Sequence, residues 1–189
     1  SVRRIVRRYK IQNVRLYGKK YWAKNNPKRP LANAPGDLVE VDTVYLMNHF
    51  GGQNLYITNV IDVYTRMTHS RVDYAYSQTS TAQTVLEAQK IFNFKFKMVQ
   101  CDNGREFGER FKLILDKNDI QIRHTRVRRP NDNAHIERFN RTMRDELIGP
   151  YTGRGLAEVS KSIREYLIYY NYARIHTTLR MTPIQMLQS

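Results

Sequence analysis

Three β-rich segments follow one another closely between residues 37 and 76, and they restrict the choice of fold more than any other feature. Their sequences are DLVEVDTVYL at 37–46, NLYITNVIDVY at 54–64 and MTHSRVDYAY at 67–76. Apolar and β-branched side chains recur in each segment, and Gly51-Gly52 and a turn near Thr65 separate them. Strands with such short connections pair in antiparallel fashion. We therefore predict three antiparallel strands joined by hairpins.

The rest of the chain alternates predicted helices with short predicted strands. After the three strands we expect a helix, a strand, a helix, a strand and two longer helices, at 80–92, 96–102, 106–119, 120–125, 133–148 and 156–173. This order is that of a ribonuclease-H-like α/β fold, in which helices flank a mixed five-stranded sheet. The order alone is compatible with other α/β folds as well.

Positive charge is concentrated at the N-terminal end of the chain. The net charge is +15, and residues 1–36 hold 11 Lys and Arg but no Asp or Glu, whereas residues 37–189 hold 21 against 17. The proline-rich stretch 24–36 reads as a linker. We therefore predict a basic arm and linker at 1–36, which could include the end of a helix-turn-helix module, and a folded core at 37–189.

The basic arm favours nucleic acid as a partner, because cations that neutralise phosphates release condensed counterions. A solvated tail and an arm that binds anionic lipid remain open alternatives.

The single cysteine, Cys101, excludes an internal disulfide and a Cys-x-x-Cys zinc site, and we expect it to be a buried strand residue. With no apolar run near the ~18 residues of a membrane span, no membrane partner is expected, and a cytoplasmic setting follows. The chain begins with Ser1, so we expect a fragment of a longer protein.

Two aspartates occupy unusual positions for ionisable residues. Asp42 lies inside an apolar strand, where a charge is disfavoured unless it has a function. Asp102 ends a predicted strand and precedes the turn-forming pair Asn103-Gly104, so its carboxylate should project from the carboxyl edge of the sheet. Open α/β sheets commonly place their functional sites at that edge.

A third candidate carboxylate, Glu137, lies on the polar stripe of the predicted helix at 133–148, with Asn133, Arg141 and Arg144. On the helix alone, Glu137 and Arg141 could equally form a surface ion pair. Grouping Glu137 with the two aspartates would provide oxygen ligands for hard cations, which stabilise the attacking and leaving oxygens of phosphodiester cleavage.

Five sequence blocks, in order, resemble those of the retroviral-integrase superfamily. They are VEVDTVYL at 39–46, NVIDVYTRM at 59–67, VQCDNGREF at 99–107, NDNAHIERFNRTMRDEL at 131–147 and YYNYARIHTTLRMTPIQML at 169–187. The tail resembles the Tyr-Asn-x-x-Arg-Pro-His ending of bacterial insertion-sequence transposases, except that Ile175 replaces the proline. Ala134 and His135 depart from the Gly-Lys of one branch. No counterpart of the retroviral His/Cys zinc module is seen, which favours a bacterial element.

The resemblance implies a DDE-type DNA transposase or integrase that cleaves at element ends and transfers the 3′-hydroxyl ends into target DNA. Asp42, Asp102 and Glu137 would be both the catalytic and the metal-binding residues, for Mg²⁺ or Mn²⁺, with two ions. The protein would act as a homodimer or higher oligomer on DNA, in the bacterial cytoplasm at the nucleoid. The residues expected to contact DNA are Arg3, Arg4, Arg7, Arg8, Lys10, Arg126, Arg128, Arg129, Asn133, Arg138 and Arg141.

Two rival functions are kept open by the sequence, namely a ribonuclease-H-like nuclease that does not join strands and a non-catalytic DNA-binding protein derived from a transposase.

Asp62 is expected to be structural. The pair His135-x-Glu137 mimics a deaminase motif, but no Pro-Cys-x-x-Cys follows, so we reject a zinc deaminase. Arg174 and His176 could contact DNA or another subunit. The tail tyrosines could lie at an interface or pack on the sheet; they are Tyr166, Tyr169, Tyr170 and Tyr172.

Overall fold

The computed structural model describes residues 29–46, 54–126, 130–148 and 155–189. A compact unit runs from Leu31 to Ser189. Residues 1–28 lie outside the described part of the chain, so the division into an arm and a core stays a prediction. The strands of the compact unit are β1 (Val39–Leu46), β2 (Leu55–Asp62), β3 (Thr68–Asp73), β4 (Met98–Cys101) and β5 (Gln121–His124). Its helices are α1 (Gln78–Phe92), α2 (Glu109–Asp116), α3 (Ala134–Met143), α4 (Leu156–Tyr172) and α5 (Pro183–Gln188).

The five strands form one mixed sheet in the order β3-β2-β1-β4-β5. β1 pairs with β2, and β2 with β3, in antiparallel fashion, as the closely spaced segments predicted. β4 lies parallel to β1 and β5 lies parallel to β4. These parallel pairs require crossovers, which α1 and α2 provide. The predicted α/β fold with a mixed five-stranded sheet flanked by helices is confirmed.

The helix boundaries follow local capping signals. α1 begins after Ser77, whose side chain accepts a hydrogen bond from the Ser80 amide, and it ends at Asn93 in the left-handed conformation. α2 is shorter than predicted, because the residues before Gly108 form a separate 3-10 turn, Arg105–Phe107. The sequence analysis missed α5, which Thr182 opens with a capping box. Among the described residues, no helix is long and apolar enough to span a membrane.

Two apolar cores lie on opposite faces of the sheet. On one face, α1 and α2 pack on the sheet, and the buried core between them includes Val41 and Val99 of the strands and Phe111 of α2. On the other face, α3 lies over β1 and β2, and α4 lies over β3. This second core includes Ile57 and Phe139 among its buried residues. Because successive strand residues alternate between faces, β1 and β2 supply side chains to both cores.

The turn that follows β2 depends on Asp62, which is fully buried. One carboxyl oxygen of Asp62 accepts hydrogen bonds from the amide and the hydroxyl of Thr65, each 2.7 Å long, and the other accepts from the Gly36 amide at 2.9 Å. The expectation that Asp62 is structural is confirmed. Cys101 is buried in β4, which also agrees with the prediction.

Side chains of the C-terminal block at 169–187 make hydrogen bonds and an ion pair within the domain itself. The side chain of Asn171 accepts from the Thr68 amide at 2.9 Å and donates to the Thr68 carbonyl at 2.8 Å, and so covers the edge strand β3. His176 hydrogen-bonds the Tyr170 hydroxyl at 2.7 Å, and Arg174 pairs with Glu146 at 3.1 Å. Burial, followed by the nearby Arg174, lowers the pKa of His176 to about 4.

The four tail tyrosines divide into two pairs. Tyr166 and Tyr170 are buried in the core beneath α4, whereas Tyr169 and Tyr172 are about half exposed. The two pairs therefore stand differently against the two open readings. Packing on the domain accounts for the first pair, and an interface role stays a prediction for the second.

Candidate active site

The register of the two central parallel strands brings Asp42 and Asp102 together. Val39 lies beside Val99 and Glu40 lies beside Gln100. Two residues further along each strand, the same register sets Asp42 beside Asp102, which directly follows β4. Neighbouring strands lie about 4.8 Å apart. Asp102 therefore projects from the carboxyl edge of the sheet, as predicted, and Asp42 is its neighbour there.

The electrostatics of Asp42 reflect this crowding. The pKa of Asp42 is raised to about 6, first by burial and then by the negative charges of Asp102 and Glu106. Hydrogen bonds to Asp42 act in the opposite direction. Like charges at close range disfavour ionisation, so this edge of the sheet attracts either a proton or a cation.

Helix α3 is attached to Asp42 through an asparagine. The amide of Asn140 donates to Asp42 Oδ2 at 2.7 Å, while its carbonyl oxygen accepts from Asn59 Nδ2 at 2.8 Å. Asn59 lies beside Asp42 in the β1–β2 register. Glu137 precedes Asn140 by three residues, so it lies about one helical turn from the residue that contacts Asp42.

Glu137 itself is exposed on the first turn of α3. Among the described residues, no group of three or more His, Cys, Asp or Glu side chains is already arranged to hold a metal ion. The structure thus brings together two of the three predicted carboxylates. The third is on a helix that is hydrogen-bonded to the first.

The N-terminus of α3 is held by Glu40, a fully buried residue of β1. One carboxyl oxygen of Glu40 accepts hydrogen bonds from the backbone amides of His135 and Ile136, at 3.0 and 2.8 Å. These amides belong to the helix's first turn, whose donors have no partner within the helix. Glu40 and Asp42 lie two residues apart and point to the same face of the sheet. The strand that carries Asp42 therefore also fixes the start of the helix that carries Glu137.

A buried polar network continues from Glu40 to β5. Gln100 donates to the backbone carbonyl of Asp132 and, at 3.2 Å, to Asn133 Oδ1. Arg123 donates to Gln100 Oε1 and pairs with Asp132 at 3.3 Å. These side chains are almost entirely buried. The network fixes the segment that leads into α3.

Some of the predicted DNA contacts are exposed, some bind neighbouring protein groups, and the others lie outside the described residues. Arg138 and Arg141 are exposed on α3. Arg126 makes two hydrogen bonds to the Asp132 carboxylate, at 2.9 and 2.7 Å, which with the Arg123 pair hold the pKa of Asp132 well below its usual range. Asn133 is buried against Gln100. The remaining seven lie outside the described residues, namely Arg3, Arg4, Arg7, Arg8, Lys10, Arg128 and Arg129.

Arg123, in β5, is 8% exposed and binds within the domain, which its place in a basic segment did not predict. Glu40, Asn140 and Glu106 were likewise not predicted as functional residues. A signal existed for Glu40, since it shares the strand face of Asp42, and for Asn140, which lies one turn after Glu137. No sequence pattern indicated that Glu106 would be buried beside Asp102.

Solved structures with the same fold come from retroviral integrases. The HTLV-2 integrase catalytic core domain in complex with magnesium superposes with a TM-score of 0.65 at 14% identity, covering 82% of this chain and 99% of that one. A chain of the simian T-cell lymphotropic virus intasome, solved in complex with PP2A regulatory subunit B56 gamma, gives a TM-score of 0.71 at 14% identity, covering 88% of this chain and 62% of that one. At such low identity these similarities show the fold alone.

Curated relatives include transposases of bacterial insertion sequences. The transposase for IS904 of Lactococcus lactis subsp. lactis (strain IL1403) is 29% identical over 157 residues, covering 78% of this chain and 59% of the relative. A protein assigned as the InsK transposase of IS150, from Escherichia coli (strain K12), is 26% identical over 141 residues, covering 71% and 49%. The chain thus spans about half the length of the curated relatives it matches.

Two family models, both described as integrase core domain, match this sequence. One covers residues 32–130 and the other residues 118–183, so together they extend from the start of the compact unit through the C-terminal motif. The first alone covers more than half of the chain. The chain therefore belongs to the integrase core domain family of the retroviral-integrase superfamily.

Proposed function

We propose that this chain is the catalytic core of a DDE-type DNA transposase, a polynucleotidyl transferase that cleaves DNA at element ends and joins the 3′-hydroxyl ends to target DNA. The observation that carries the proposal is the strand register that pairs Asp42 with Asp102, with the helix of Glu137 hydrogen-bonded to Asp42. Family membership and transposase relatives support it.

The donor set suits a hard divalent cation, Mg²⁺ or Mn²⁺. Carboxylate oxygens are the ligands such ions prefer, and a cation between Asp42 and Asp102 would relieve the repulsion that raises the pKa of Asp42. Asp42 and Asp102 would hold the ions, and Glu137 would complete one of two sites. When bound, the ions supply stabilisation of the attacking and leaving oxygens of the phosphodiester. The HTLV-2 core was solved in complex with magnesium.

The remaining residues of the site would position the reactants. Asn140 would keep Asp42 Oδ2 turned toward α3, and Glu40 would keep the first turn of α3 beside β1. The exposed guanidinium groups of Arg138 and Arg141 would bind backbone phosphates on the face that presents Glu137. We assign Asn133 and Arg126 to the shape of this surface, because both bind neighbouring protein groups.

The proposed partner is DNA, both the terminal repeats and the target. The cations of residues 1–36 would supply non-specific affinity. Two ends must be held at once for concerted joining, so the working unit is proposed to be a homodimer or a larger assembly with closed symmetry. A retroviral relative of this fold was solved as an intasome. The bacterial cytoplasm, at the nucleoid, stays the predicted place of action.

A strand-transfer assay with pre-cut ends tests the proposal. The wild-type chain should join the ends to target DNA in Mg²⁺ or Mn²⁺, and Asp42→Asn should lower joining by at least about 1,000-fold while DNA binding persists, since several kcal/mol of charge stabilisation are lost. Asp116→Asn, at an exposed carboxylate of α2, is the matched control and should join normally. Near wild-type joining by Asp42→Asn contradicts the assignment.

The same assay, run beside a cleavage assay on uncut ends, separates the two rivals. Cleavage by the wild-type chain without joining would identify a non-joining nuclease. DNA binding with neither cleavage nor joining would identify a non-catalytic DNA-binding protein.

A further inference from the structure

Glu106 is a buried carboxyl group beside the proposed site. It lies in the 3-10 turn Arg105–Phe107 and is only 5% exposed. Glutamate is almost never this buried without a partner, because an ionised carboxylate loses its hydration. The proposed reaction assigns no role to Glu106. Its position therefore calls for a reason.

Tyr76 supplies the partner. The Tyr76 hydroxyl donates a short hydrogen bond to Glu106 Oε2. Tyr76 lies between β3 and α1, and its ring packs on Tyr56 with the centroids 5.2 Å apart. Gln78 adds two bonds nearby, donating to the Arg105 carbonyl at 3.0 Å and accepting from the Arg110 amide at 2.9 Å. The turn that holds Glu106 is thus fixed to the start of α1 on both sides.

Gly104 links Glu106 to Asp102. The Gly104 amide donates to Asp102 Oδ1 at 2.7 Å. A Cβ atom at Gly104 would overlap Glu106 Oε2 and would lie 2.9 Å from Asp102 Oδ1. The two carboxyl groups therefore flank the same backbone carbon, and a side chain there would have to displace the Glu106 carboxyl group. The position of Glu106 restricts Gly104, whose amide in turn orients Asp102.

We propose that Glu106, held by Tyr76, is a positioning residue for Asp102 that also strengthens divalent-cation binding at the Asp42–Asp102 pair. This inference rests on the proposed function, because it needs a cation at that pair. Glu106 acts through Gly104 on the orientation of Asp102, and its negative charge adds to that of the two aspartates.

The test is Glu106→Gln, which keeps the shape and still offers Tyr76 an acceptor but removes the charge. Its dissociation constant for Mn²⁺, measured by titration calorimetry, should rise about tenfold, since ligand charge sets the affinity of such sites. The half-saturating Mn²⁺ concentration for strand transfer should rise in parallel, and by more than the saturated rate falls. Glu109→Gln, at an exposed glutamate on the first turn of α2, is the matched control and should leave both values unchanged.

Tyr76→Phe separates positioning from charge, because it keeps the ring and the Glu106 charge and removes the hydrogen bond. Its Mn²⁺ dissociation constant should rise about threefold, the equivalent of one modest hydrogen bond. The variant also protects the test if Glu106→Gln folds poorly. If both variants fold and bind Mn²⁺ like the wild type, or if Glu109→Gln weakens binding equally, the proposal is overturned.

Failure of the Glu106 proposal can be distinguished from failure of the proposed function. A wild-type chain that binds Mn²⁺ but neither cleaves nor joins DNA would overturn the transposase proposal, while the calorimetric comparison of Glu106→Gln would still decide the role of Glu106. A wild-type chain that binds no Mn²⁺ would overturn both.

Discussion

The two faces of the sheet are packed in different ways. The face beneath α1 and α2 has a mainly apolar core, to which β1 and β4 contribute Val39, Val41 and Val99. The face beneath α3 and α4 is apolar over β2, over β3 and at Val44 of β1. Over the start of β1 and over β4 and β5 it is polar and equally buried, with Glu40, Gln100 and Arg123 as its central side chains.

The difference separates stability from positioning. Apolar contacts are non-directional, so they stabilise the sheet without fixing a helix to a particular turn. Hydrogen bonds require geometry, and Glu40 and Gln100 direct theirs to the start of α3. A buried polar network can specify one arrangement. In this domain it specifies where Glu137 lies relative to Asp42.

Outside the proposed metal ligands, the largest effect on strand transfer is expected from Glu40→Ala, which breaks the polar face. The amides of His135 and Ile136 would lose their shared acceptor, at a cost of about 3 kcal/mol in the free energy of unfolding. Strand transfer by the folded fraction should fall about 100-fold, because small displacements of catalytic groups cost that much. Urea denaturation and the joining assay measure the two effects. Glu40→Gln keeps one acceptor oxygen, so its free energy of unfolding and its strand-transfer rate should both fall less than those of Glu40→Ala.

Phe111→Ala breaks the apolar face instead. Phe111 is fully buried and packs edge-on against Phe107, so the cavity should cost about 3–5 kcal/mol of unfolding free energy. Joining per folded molecule should stay near the wild-type rate at a temperature where the variant is folded. If Phe111→Ala lowered specific activity as much as Glu40→Ala does, the distinction between the two faces would be wrong.

An intermediate effect concerns pH and Asp42. Because the pKa of Asp42 is raised to about 6 in the folded chain, the folded state holds a proton that the unfolded state has released. The resulting stability is present below the unfolded pKa, near 3.8, and is lost as pH rises through about 6. Without metal, the free energy of unfolding of the wild type should fall by about 2 kcal/mol relative to that of Asp42→Asn as the pH rises from roughly 4 to 7. Parallel urea-denaturation profiles of the two proteins in EDTA would contradict this.

The smallest effect is expected from Cys101→Ala, one residue from Asp102 but on the apolar face. Burial raises the pKa of the Cys101 thiol, so a disulfide reagent should modify it only on unfolding. The substitution should cost about 1 kcal/mol and leave joining nearly unchanged. Loss of joining, with the fold intact, would mean that the apolar face also positions the site.

Much of the fold could be predicted because its signals are local. Alternating apolar residues identified β1 to β3, and the turn after Cys101 identified the carboxyl edge where Asp102 lies. The short 3-10 turn before α2 was merged with that helix, because Gly108 is a weak break in an otherwise helical pattern. α5 is only six residues long and was missed.

The site was harder to predict, because its supporting contacts are distant in sequence. Asp42 and Asp102 stood out as individual residues, but their adjacency depends on the parallel register of β1 and β4. Glu40 reads locally as one more polar position in an alternating strand. Its role appears only when α3, about 95 residues later, is placed above it. Tyr76 and Glu106 likewise meet only after the fold forms.

The central claim, that Asp42 and Asp102 form the core of a metal site completed by Glu137, is tested most directly by anomalous diffraction from crystals grown with Mn²⁺. We predict an anomalous peak between Asp42 and Asp102, with carboxylate oxygens at about 2.1 Å and Glu137 turned toward it. Asp102→Asn crystals under the same conditions should show that peak weakened or lost. A Mn²⁺ ion bound elsewhere, with both aspartates uncoordinated, would contradict the account.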